Sequence, residues 1–387
     1  MTQSFVFNTT PSIVLEAGAA RHFGAIAGVK LGRAVLFVTD PGLRALGLCE
    51  AALASLADHG AHVTVFDAVE ADPSLETLTK AVSAGESAGA TGVVGFGGGS
   101  SMDVAKLAAL LLGSGEDLDA AWGVGRAKGP RLPLVLAPTT AGTGSEVTPI
   151  SIITIGAEEK RGVSSPLILP DLAVLDPELT LSLPPATTAH TGIDAMVHAI
   201  EAYASASPNN GPLSKMLARQ ALRLLGGNIE RAVTNGDDLD ARAAMLLGSM
   251  LAGQAFANAP VAGVHALAYP VGGIFHVPHG LSNALMLPHV LRFNAPDAAT
   301  LYADIAADTF PHLASDAGVQ GRCAAFIEAL AALSVRFGLP TRLRDVGIGE
   351  SALAKLAADA MLQQRLLVNN PRVIDQADAL AIYRAAW

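Results

Sequence analysis

Short β-branched runs alternate with helical stretches in the first half of the chain, and this alternation constrains the fold more than any other feature. Strand patterns occupy residues 34–39, 62–66, 92–96 and 134–138, and helical patterns at 49–59, 75–88 and 102–112 lie between them. Strands and helices that alternate at this spacing are typical of βαβ units and a mostly parallel sheet. We therefore expect an α/β N-terminal domain.

From Pro185 onward the strand pattern ends and helical periods dominate. Helices are predicted at residues 189–204, 213–234, 241–257, 296–313, 321–337, 351–360 and 376–385. The Leu183-Pro184-Pro185 segment favours extended backbone, because a residue before proline avoids the helical region. The sequence thus predicts an α/β domain over residues 1–184 and an all-helical domain over residues 185–387.

Residues 243–291 contain no Asp, Glu, Lys or Arg. About 20 apolar residues suffice to cross a bilayer, so a membrane span must be considered. Pro260, Pro270 and Pro278 interrupt the segment, which favours a buried protein interior instead. We expect no membrane association.

Composition excludes further classes of protein. Apolar residues make up 51% of the chain, which excludes disorder, and the net charge of -10 argues against nucleic-acid binding. Only Cys49 and Cys323 are present, so neither a disulfide framework nor a thiolate zinc cluster is expected. The N-terminal residues lack a signal-peptide pattern, and a cytoplasmic location is expected.

A glycine turn follows the strand pattern at residues 92–96. Gly97–Gly99 leave no Cβ in the way of a ligand, Ser100 and Ser101 offer hydroxyls, and a helix begins there. Free N–H groups at a helix start suit a pyrophosphate. Neither a G-x-G-x-x-G nor a Walker A pattern occurs, and three glycines alone are equally compatible with a tight βα turn without a ligand.

A second polar loop, residues 137–148, follows the strand pattern at 134–136 and carries Thr139, Thr140 and Thr143. Two such loops at strand ends of one sheet favour a nucleotide site. Asp40 ends another strand, where an acid can accept hydrogen bonds from a ribose diol and repel a 2′-phosphate, favouring NAD over NADP. A helix N-cap before Pro41 is the other interpretation of Asp40.

Histidines cluster in the second half of the chain. Six fall between positions 190 and 289, namely His190, His198, His265, His276, His279 and His289. Asp194 and His198 are spaced i, i+4 on a predicted apolar helix, where a buried carboxylate is costly unless a cation neutralises it. One carboxylate with three imidazoles suits Fe²⁺, Zn²⁺, Co²⁺ or Ni²⁺.

His265 and His279 lie inside the charge-free segment, where metal ligation explains them best. His276 competes with His279 for the last ligand position, and we favour His279 because Pro278 and Gly280 flank it. Such a metal can polarise an alcohol or carbonyl oxygen as a Lewis acid.

Four motifs together carry a resemblance to a known family. They are Gly97–Lys106, Pro138–Thr148, Thr191–Glu201, and Gly263–Pro270 with Pro278–Ala284. Over essentially its full length the chain resembles the iron-containing (group III) NAD-dependent alcohol dehydrogenases. The resemblance implies an N-terminal dinucleotide-binding domain followed by a helical domain.

The resemblance also assigns residues. It places the metal ligands at Asp194, His198, His265 and His279. It places the cofactor contacts at Asp40, Gly98, Gly99, Ser100, Ser101, Asp103, Thr139, Thr140, Thr143, Thr148, Lys160 and Leu179.

The chain departs from the family pattern at two positions. Tyr269 stands where many members have a histidine, four residues after the third ligand, that is discussed as a proton relay. A phenol titrates near 10 but can pass a proton along hydrogen bonds, and His276 is a candidate substitute. Asp72-Pro73 stands where Asn-Pro is common, close to the expected cofactor, so Asp72 is counted among the expected cofactor-binding residues.

The predicted reaction is reversible hydride transfer between NAD(H) and a small alcohol/aldehyde or ketone pair, with Fe²⁺ as the first choice of metal and Zn²⁺ as the second. Phe256 and Tyr269 are expected to line an apolar pocket for a short, uncharged substrate. A homodimer or larger homo-oligomer is expected. The alternatives are a hydroxyacid–oxoacid transhydrogenase, a maleylacetate reductase-like enzyme, a lyase of the dehydroquinate-synthase type and a non-catalytic paralogue.

Overall fold

A computed structural model describes residues 4–156, 159–313 and 317–387 of the chain. These residues form two compact units. The first unit is Asn8–Ser182, and the second is Leu183–Trp387 together with the described residues up to Phe7.

The first unit is an α/β structure. Its strands are β1 (Ile13–Leu15), β2 (Ala34–Val38), β3 (His62–Phe66), β4 (Gly92–Gly97), β5 (Gly123–Val124), β6 (Leu134–Pro138), β7 (Ile150–Ile155), β8 (Glu159–Ser164) and β9 (Leu172–Leu175). Its helices are α1 (Phe23–Leu31), α2 (Pro41–Ala45), α3 (Glu50–Asp58), α4 (Leu75–Ser87), α5 (Gly99–Ser114) and α6 (Leu118–Ala121). Six strands form a parallel sheet in the order β1-β9-β6-β4-β2-β3, which confirms the predicted fold class.

The order of the strands places the loops that follow β2, β4 and β6 next to one another, at the carboxyl ends of the strands. After β2 the chain adds β3 on one side and β4 on the other, so the direction of winding reverses between β2 and β4. The carboxyl ends of β2, β4 and β6 are therefore adjacent, and ligands of open α/β sheets bind at such a point.

Apolar side chains cover both faces of the sheet. Along β2, Val35 and Phe37 belong to one buried cluster with Phe23 of α1, whereas Leu36 and Val38 belong to another that includes residues of α4 and α5. Successive side chains of a strand point to opposite faces, and both faces are covered by helices. This two-sided burial explains why the strands are continuously apolar in sequence.

A small second sheet was not predicted. Its order is β5-β8-β7, and β7 and β8 form an antiparallel pair in which Ile150 is opposite Ser164. The strand pattern is weak in the sequence because β8 carries Glu159, Lys160 and Arg161 in succession. The short strands β1 and β9 of the main sheet were missed as well.

The second unit is built from helices. They are α7 (Pro185–Ala204), α8 (Pro212–Thr234), α9 (Leu239–Asn258), α10 (Gly263–Phe275), α11 (His279–Thr309), α12 (Gly318–Arg336), α13 (Leu353–Ala360), α14 (Gln364–Leu367) and α15 (Gln376–Ala386). The prediction of a helical C-terminal part is confirmed.

One prediction about these helices is wrong, and one helix was missed. A helix was expected to begin at Pro296, but α11 begins at His279 and contains both Pro288 and Pro296. Helix α10, with Pro270 inside it, was not predicted at all. An interior proline costs a helix about 3 kcal/mol, and packing of buried side chains along these helices offsets that cost.

The charge-free segment forms most of α9, all of α10 and the start of α11, and most of its residues are buried. By length and composition one described helix, α12, could cross a membrane, with a mean hydropathy of 1.2. Its buried side chains, including Phe326 and Leu330, lie on one face. A lone helix of this kind is weak evidence for a span, because core helices of soluble proteins have the same composition.

Candidate active site

Helix α7 places a carboxylate and an imidazole on one buried face. Asp194 and His198 are one turn apart, and their residues are only 2% and 4% exposed. The helix starts with Pro185 in its first turn, where proline costs no hydrogen bond, and is buried along most of its length. An ionisable pair in such surroundings requires compensating partners.

The starts of two other helices supply two more imidazoles. His265 is the third residue of α10, and His279 is the first residue of α11, directly after Pro278. One ligand atom from each of Asp194, His198, His265 and His279 lies within 4.8 Å of the other three. The Nε2 atoms of His265 and His198 are 3.0 Å apart, and Nε2 of His279 is 3.7 Å from Oδ1 of Asp194.

The donor set of this cluster fits a divalent cation. Burial alone would raise the pKa of the Asp194 carboxyl, but the three histidines and the Asn283 amide outweigh it and hold the pKa below its ordinary value. The cluster thus combines a carboxylate oxygen with three imidazole nitrogens, the set that Fe²⁺ and Zn²⁺ accept. Asp194, His198 and His265 are buried, whereas the His279 side chain is 39% exposed.

Two polar residues next to the cluster were missed by the sequence analysis. The Asn283 side-chain amide donates to Oδ1 of Asp194 over 2.6 Å and lies 3.2 Å from Nε2 of both His265 and His279. Glu201 accepts a hydrogen bond from His265 Nδ1 at 2.7 Å. Helical spacing was the available signal, since Glu201 is seven residues after Asp194 and Asn283 is four after His279.

The aromatic rings of Phe256 and Tyr269 lie beside the cluster. The Phe256 ring stacks on His198 with centroids 4.4 Å apart. The centroid of the Tyr269 ring is 6.5 Å from that of His265 and 6.0 Å from that of His279. A cation that the sequence analysis did not foresee, Arg365, lies over the Tyr269 ring at 5.7 Å.

The remaining clustered histidines lie outside the four-residue group. His276 is exposed and ends α10 in a left-handed conformation with φ of 54°. His190 is half-buried, and burial lowers the pKa of its imidazole. Burial, assisted by Arg292, lowers the pKa of His289 to about 4.

In the first unit, the glycine turn and the threonine loop lie against each other. The turn follows β4 and the loop follows its neighbour β6. Gly97 has φ of 151°, where an added Cβ would meet Oγ of Ser101 at 2.7 Å, so only glycine fits. The amide of Thr139 donates to the carbonyl of Gly97 at 3.0 Å, and a Cβ on Gly99 would meet Thr143 at 3.0 Å.

A buried lysine joins the same two segments. Lys106 of α5 is fully buried and donates from Nζ to Ser145 Oγ at 2.8 Å, to Thr148 Oγ1 at 3.2 Å and to the Ile150 carbonyl at 2.7 Å. Burial lowers the pKa of this lysine to about 8.

Asp103 completes this network. Its carboxylate accepts hydrogen bonds from Ser145 Oγ at 2.7 Å and from the Ile152 amide at 2.9 Å, and burial raises its pKa. The side chains of Asp103 and Thr148 are thus engaged within the protein, and Lys106 is a residue that the sequence analysis did not single out.

The other predicted cofactor residues occupy different surroundings. Asp40, after β2, caps α2 by accepting the Leu43 amide at 3.0 Å. Asp72 and Lys160 form an ion pair with each other. Leu179 packs into an apolar core cluster. Gly98, Gly99, Ser100, Thr140 and Thr143 are partly exposed, whereas Ser101 and Thr139 are buried.

Comparison with known families matches both units. The model described as iron-containing alcohol dehydrogenase matches residues 10–177, and the one described as the C-terminal part of the Fe-containing alcohol dehydrogenase family matches residues 188–387. The chain belongs to the iron-containing alcohol dehydrogenase family. The resemblance inferred from the four motifs is confirmed.

Individual relatives within this family align over nearly the whole chain. Long-chain-alcohol dehydrogenase 1 of Geobacillus thermodenitrificans is 44% identical, over 91% of this chain and 89% of its own. NAD-dependent methanol dehydrogenase of Bacillus methanolicus is 32% identical over 100% of both chains. The crystal structure of a 1,3-propanediol oxidoreductase has a TM-score of 0.94 and 33% identity, covering 99% of this chain and 100% of its own.

The geometry gives this alcohol dehydrogenase two chemically distinct sites on separate units. The cluster of Asp194 with three histidines offers oxygen and nitrogen donors to a cation, with aromatic rings beside it. The carboxyl ends of β2, β4 and β6 offer backbone amides at a helix start, together with threonine hydroxyls.

Proposed function

We propose that this alcohol dehydrogenase depends on NAD and on one divalent metal, and that it interconverts a small alcohol with its aldehyde or ketone. The observation that carries the proposal is the convergence of Asp194, His198, His265 and His279 within 4.8 Å. When bound, the metal supplies Lewis-acid polarisation of a substrate oxygen, and NAD supplies the hydride acceptor or donor.

The four residues themselves would hold the metal. Asp194 contributes charge and the imidazoles contribute neutral nitrogen donors, so the site favours Fe²⁺ first and Zn²⁺ second over Mg²⁺ or Ca²⁺. The Asn283 amide donates to Asp194 and holds the carboxylate in place. Three separate helices fix the set, which limits its movement.

The loops after β4 and β6 would bind NAD. The glycine turn leaves backbone amides free at the start of α5, and Thr140 and Thr143 are partly exposed beside it. Asp40 at the neighbouring strand end disfavours a 2′-phosphate, which supports NAD over NADP. A relative named NAD-dependent methanol dehydrogenase supports the same choice.

The surroundings of the cluster support a short substrate without charge. The Phe256 ring covers His198, and Tyr269 lies near His265 and His279. These rings offer apolar surface beside the donors, and the His279 side chain is 39% exposed. Tyr269 would pass a proton between the substrate and solvent, with His276 as the other candidate.

We also propose a cytoplasmic homodimer or larger homo-oligomer. Cys49 and Cys323 are both buried and unpaired, which supports a reducing compartment. The exposed apolar side chains of Leu362, Val368 and Val373 support self-association. Light scattering coupled to gel filtration measures the oligomeric state, and a monomer at micromolar concentration would contradict this part of the proposal.

The test is an NADH-linked screen of alcohols and aldehydes with protein purified anaerobically, before and after removal of metal by a chelator. We expect turnover with short alcohols, loss of turnover after chelation, and recovery when Fe²⁺ or Zn²⁺ is added back. Turnover that requires an added oxoacid would indicate a transhydrogenase instead. Full activity in metal-free protein would contradict the proposal.

A further inference from the structure

A buried carboxylate beside the cluster of Asp194, His198, His265 and His279 makes three hydrogen bonds. Glu201 is on α7, and its side chain is 4% exposed. It accepts hydrogen bonds from the amide of Ala262 at 3.0 Å, from the amide of Val264 at 2.6 Å and from Nδ1 of His265 at 2.7 Å. One side chain thus contacts both the start of α10 and the imidazole that the start of α10 carries.

The two backbone contacts satisfy donors that a helix leaves free. The first N–H groups of an α-helix have no partner within the helix, and a negative charge near that end is favourable. Glu201 accepts two of these N–H groups at α10, and Asn370 Oδ1 accepts a third, from Gly263, at 3.2 Å. The start of α10 is therefore held by side chains from elsewhere in the second unit.

The contact with His265 determines which ring nitrogen is free. An ionised carboxylate can only accept a hydrogen bond, so Nδ1 of His265 must carry the proton. Nε2 is then unprotonated, and it lies 3.0 Å from Nε2 of His198. A histidine binds a metal through the nitrogen without a proton, and the hydrogen bond on the other nitrogen selects which one that is.

We propose that Glu201 is a positioning residue that holds His265 in the orientation and tautomer needed to bind the metal. Asp194, His198 and Glu201 are spaced i, i+4, i+7, so they share one face of α7. Helix α7 thus supplies two ligands and orients a third. The inference rests on the proposed metal site, since it assigns a role toward the same ion.

Glu201→Gln separates this role from simple capping of α10. Glutamine keeps the size of the side chain but has one acceptor oxygen for three donors. If its amide group faces His265, it donates to Nδ1 and moves the proton to Nε2, which then cannot bind metal. If the oxygen faces His265, the bond to Val264 is lost instead, so both arrangements disturb the site.

Asn370→Ala is the matched control. It removes the hydrogen bond to Gly263 at the same end of α10, together with the bonds of Asn370 to Asn294 and to the Arg372 carbonyl. It leaves the Glu201–His265 contact in place. Glu201→Asp is a second test variant, because it keeps an acceptor-only carboxylate on a shorter side chain. It also keeps the test informative if Glu201→Gln folds poorly.

The measurement is the affinity for Zn²⁺, by competition with a chromophoric chelator, together with the melting temperature of each metal-free protein. We expect Glu201→Gln to bind Zn²⁺ roughly 10–100-fold more weakly than the wild type, the range for partners of metal-bound histidines. Asn370→Ala should bind Zn²⁺ with nearly wild-type affinity, even if its melting temperature falls as far as that of Glu201→Gln. Glu201→Asp should bind more tightly than Glu201→Gln.

Two results would overturn the inference while leaving the proposed function intact. One is wild-type Zn²⁺ affinity in Glu201→Gln. The other is an equal loss of affinity in Glu201→Gln and Asn370→Ala at equal loss of melting temperature. A wild-type protein that binds no Zn²⁺ would contradict the proposed metal site itself.

Discussion

Lys160 and Asp72 are joined by an ion pair, although each was assigned separately to the cofactor. Asp72 has φ of 53°, a conformation that asparagine also tolerates, so Asp72→Asn removes the charge without straining the backbone. We expect the variant to bind NADH roughly 2–5-fold more tightly, because Lys160 becomes free to attract the pyrophosphate and a partly exposed ion pair is worth up to about 1 kcal/mol.

Fluorescence titration with NADH measures this change. Glu159→Gln breaks the neighbouring exposed pair with Arg161 and serves as the control. Its dissociation constant should match that of the wild type. Weaker binding of NADH by Asp72→Asn would show that the carboxylate itself contacts the cofactor favourably.

Asp40 caps α2 by accepting a hydrogen bond from the Leu43 amide. This hydrogen bond does not conflict with a role of Asp40 in selecting NAD over NADP. Asp40→Gly should raise the ratio of kcat/KM for NADP to that for NAD, because a 2′-phosphate no longer meets a negative charge. The loss of the cap should cost only a few tenths of a kcal/mol, since glycine is tolerated at an N-cap. Asp117→Gly, at the N-cap of α6, is the control for the cap. An unchanged ratio in Asp40→Gly would leave Asp40 as a cap alone.

Glu146 couples stability to pH in the first unit. Burial raises the pKa of its carboxyl to about 7, and Oε1 has no hydrogen-bond partner among the described residues. Because the pKa of Glu146 is higher in the folded than in the unfolded protein, its protonated form stabilises the fold. This stabilisation is fully present below the unfolded pKa of 4.5 and is lost as pH rises through 7.

Glu146→Gln cannot titrate, so the difference in unfolding free energy between wild type and variant isolates this effect. Between pH 4.5 and 8 the difference should fall by on the order of 3 kcal/mol, from 1.36 kcal/mol for each pKa unit. Urea unfolding at several pH values measures it. A difference that stays constant with pH would show that Glu146 keeps an ordinary pKa.

Tyr269 is an aromatic residue that lies near both His265 and His279. Tyr269→Phe keeps the ring beside His265, His279 and Arg365 and removes only the hydroxyl. If that hydroxyl passes the proton, kcat should fall roughly 100-fold while metal content stays the same. His276→Ala should change kcat less than about 3-fold because His276 is exposed at the end of α10. The opposite ranking of the two variants would assign the relay to His276.

Much of the fold could be predicted because its signals are local. The strands of β2, β3, β4 and β6 are short apolar runs bounded by turns, and their positions in the structure agree closely with the sequence pattern. The helices containing Pro270, Pro288 and Pro296 could not be predicted in the same way. Proline ends a helix by local rules, whereas here the helix continues through packing that only the folded chain provides.

Some residues of the candidate site could be predicted from local patterns, whereas others could not. Asp194 and His198 stand out by spacing on a single helix, and His265 and His279 by their place in a charge-free segment. Glu201 contacts His265 across 64 residues, and Lys106 contacts Ser145 across 39. Helical spacing places Glu201 on the face of α7 that carries Asp194. The partners that Glu201 and Lys106 contact depend on how distant elements pack, and helical spacing does not reveal them.

The metal content of protein purified anaerobically, compared between the wild type and His265→Ala, shows whether the four-residue cluster holds a metal. His312→Ala changes an exposed histidine outside the cluster and is the control. We predict stoichiometric Fe²⁺ or Zn²⁺ and NADH-linked activity in the wild type and in His312→Ala, and loss of both in His265→Ala. Retention of metal and activity by His265→Ala would show that the cluster is not a metal site needed for catalysis.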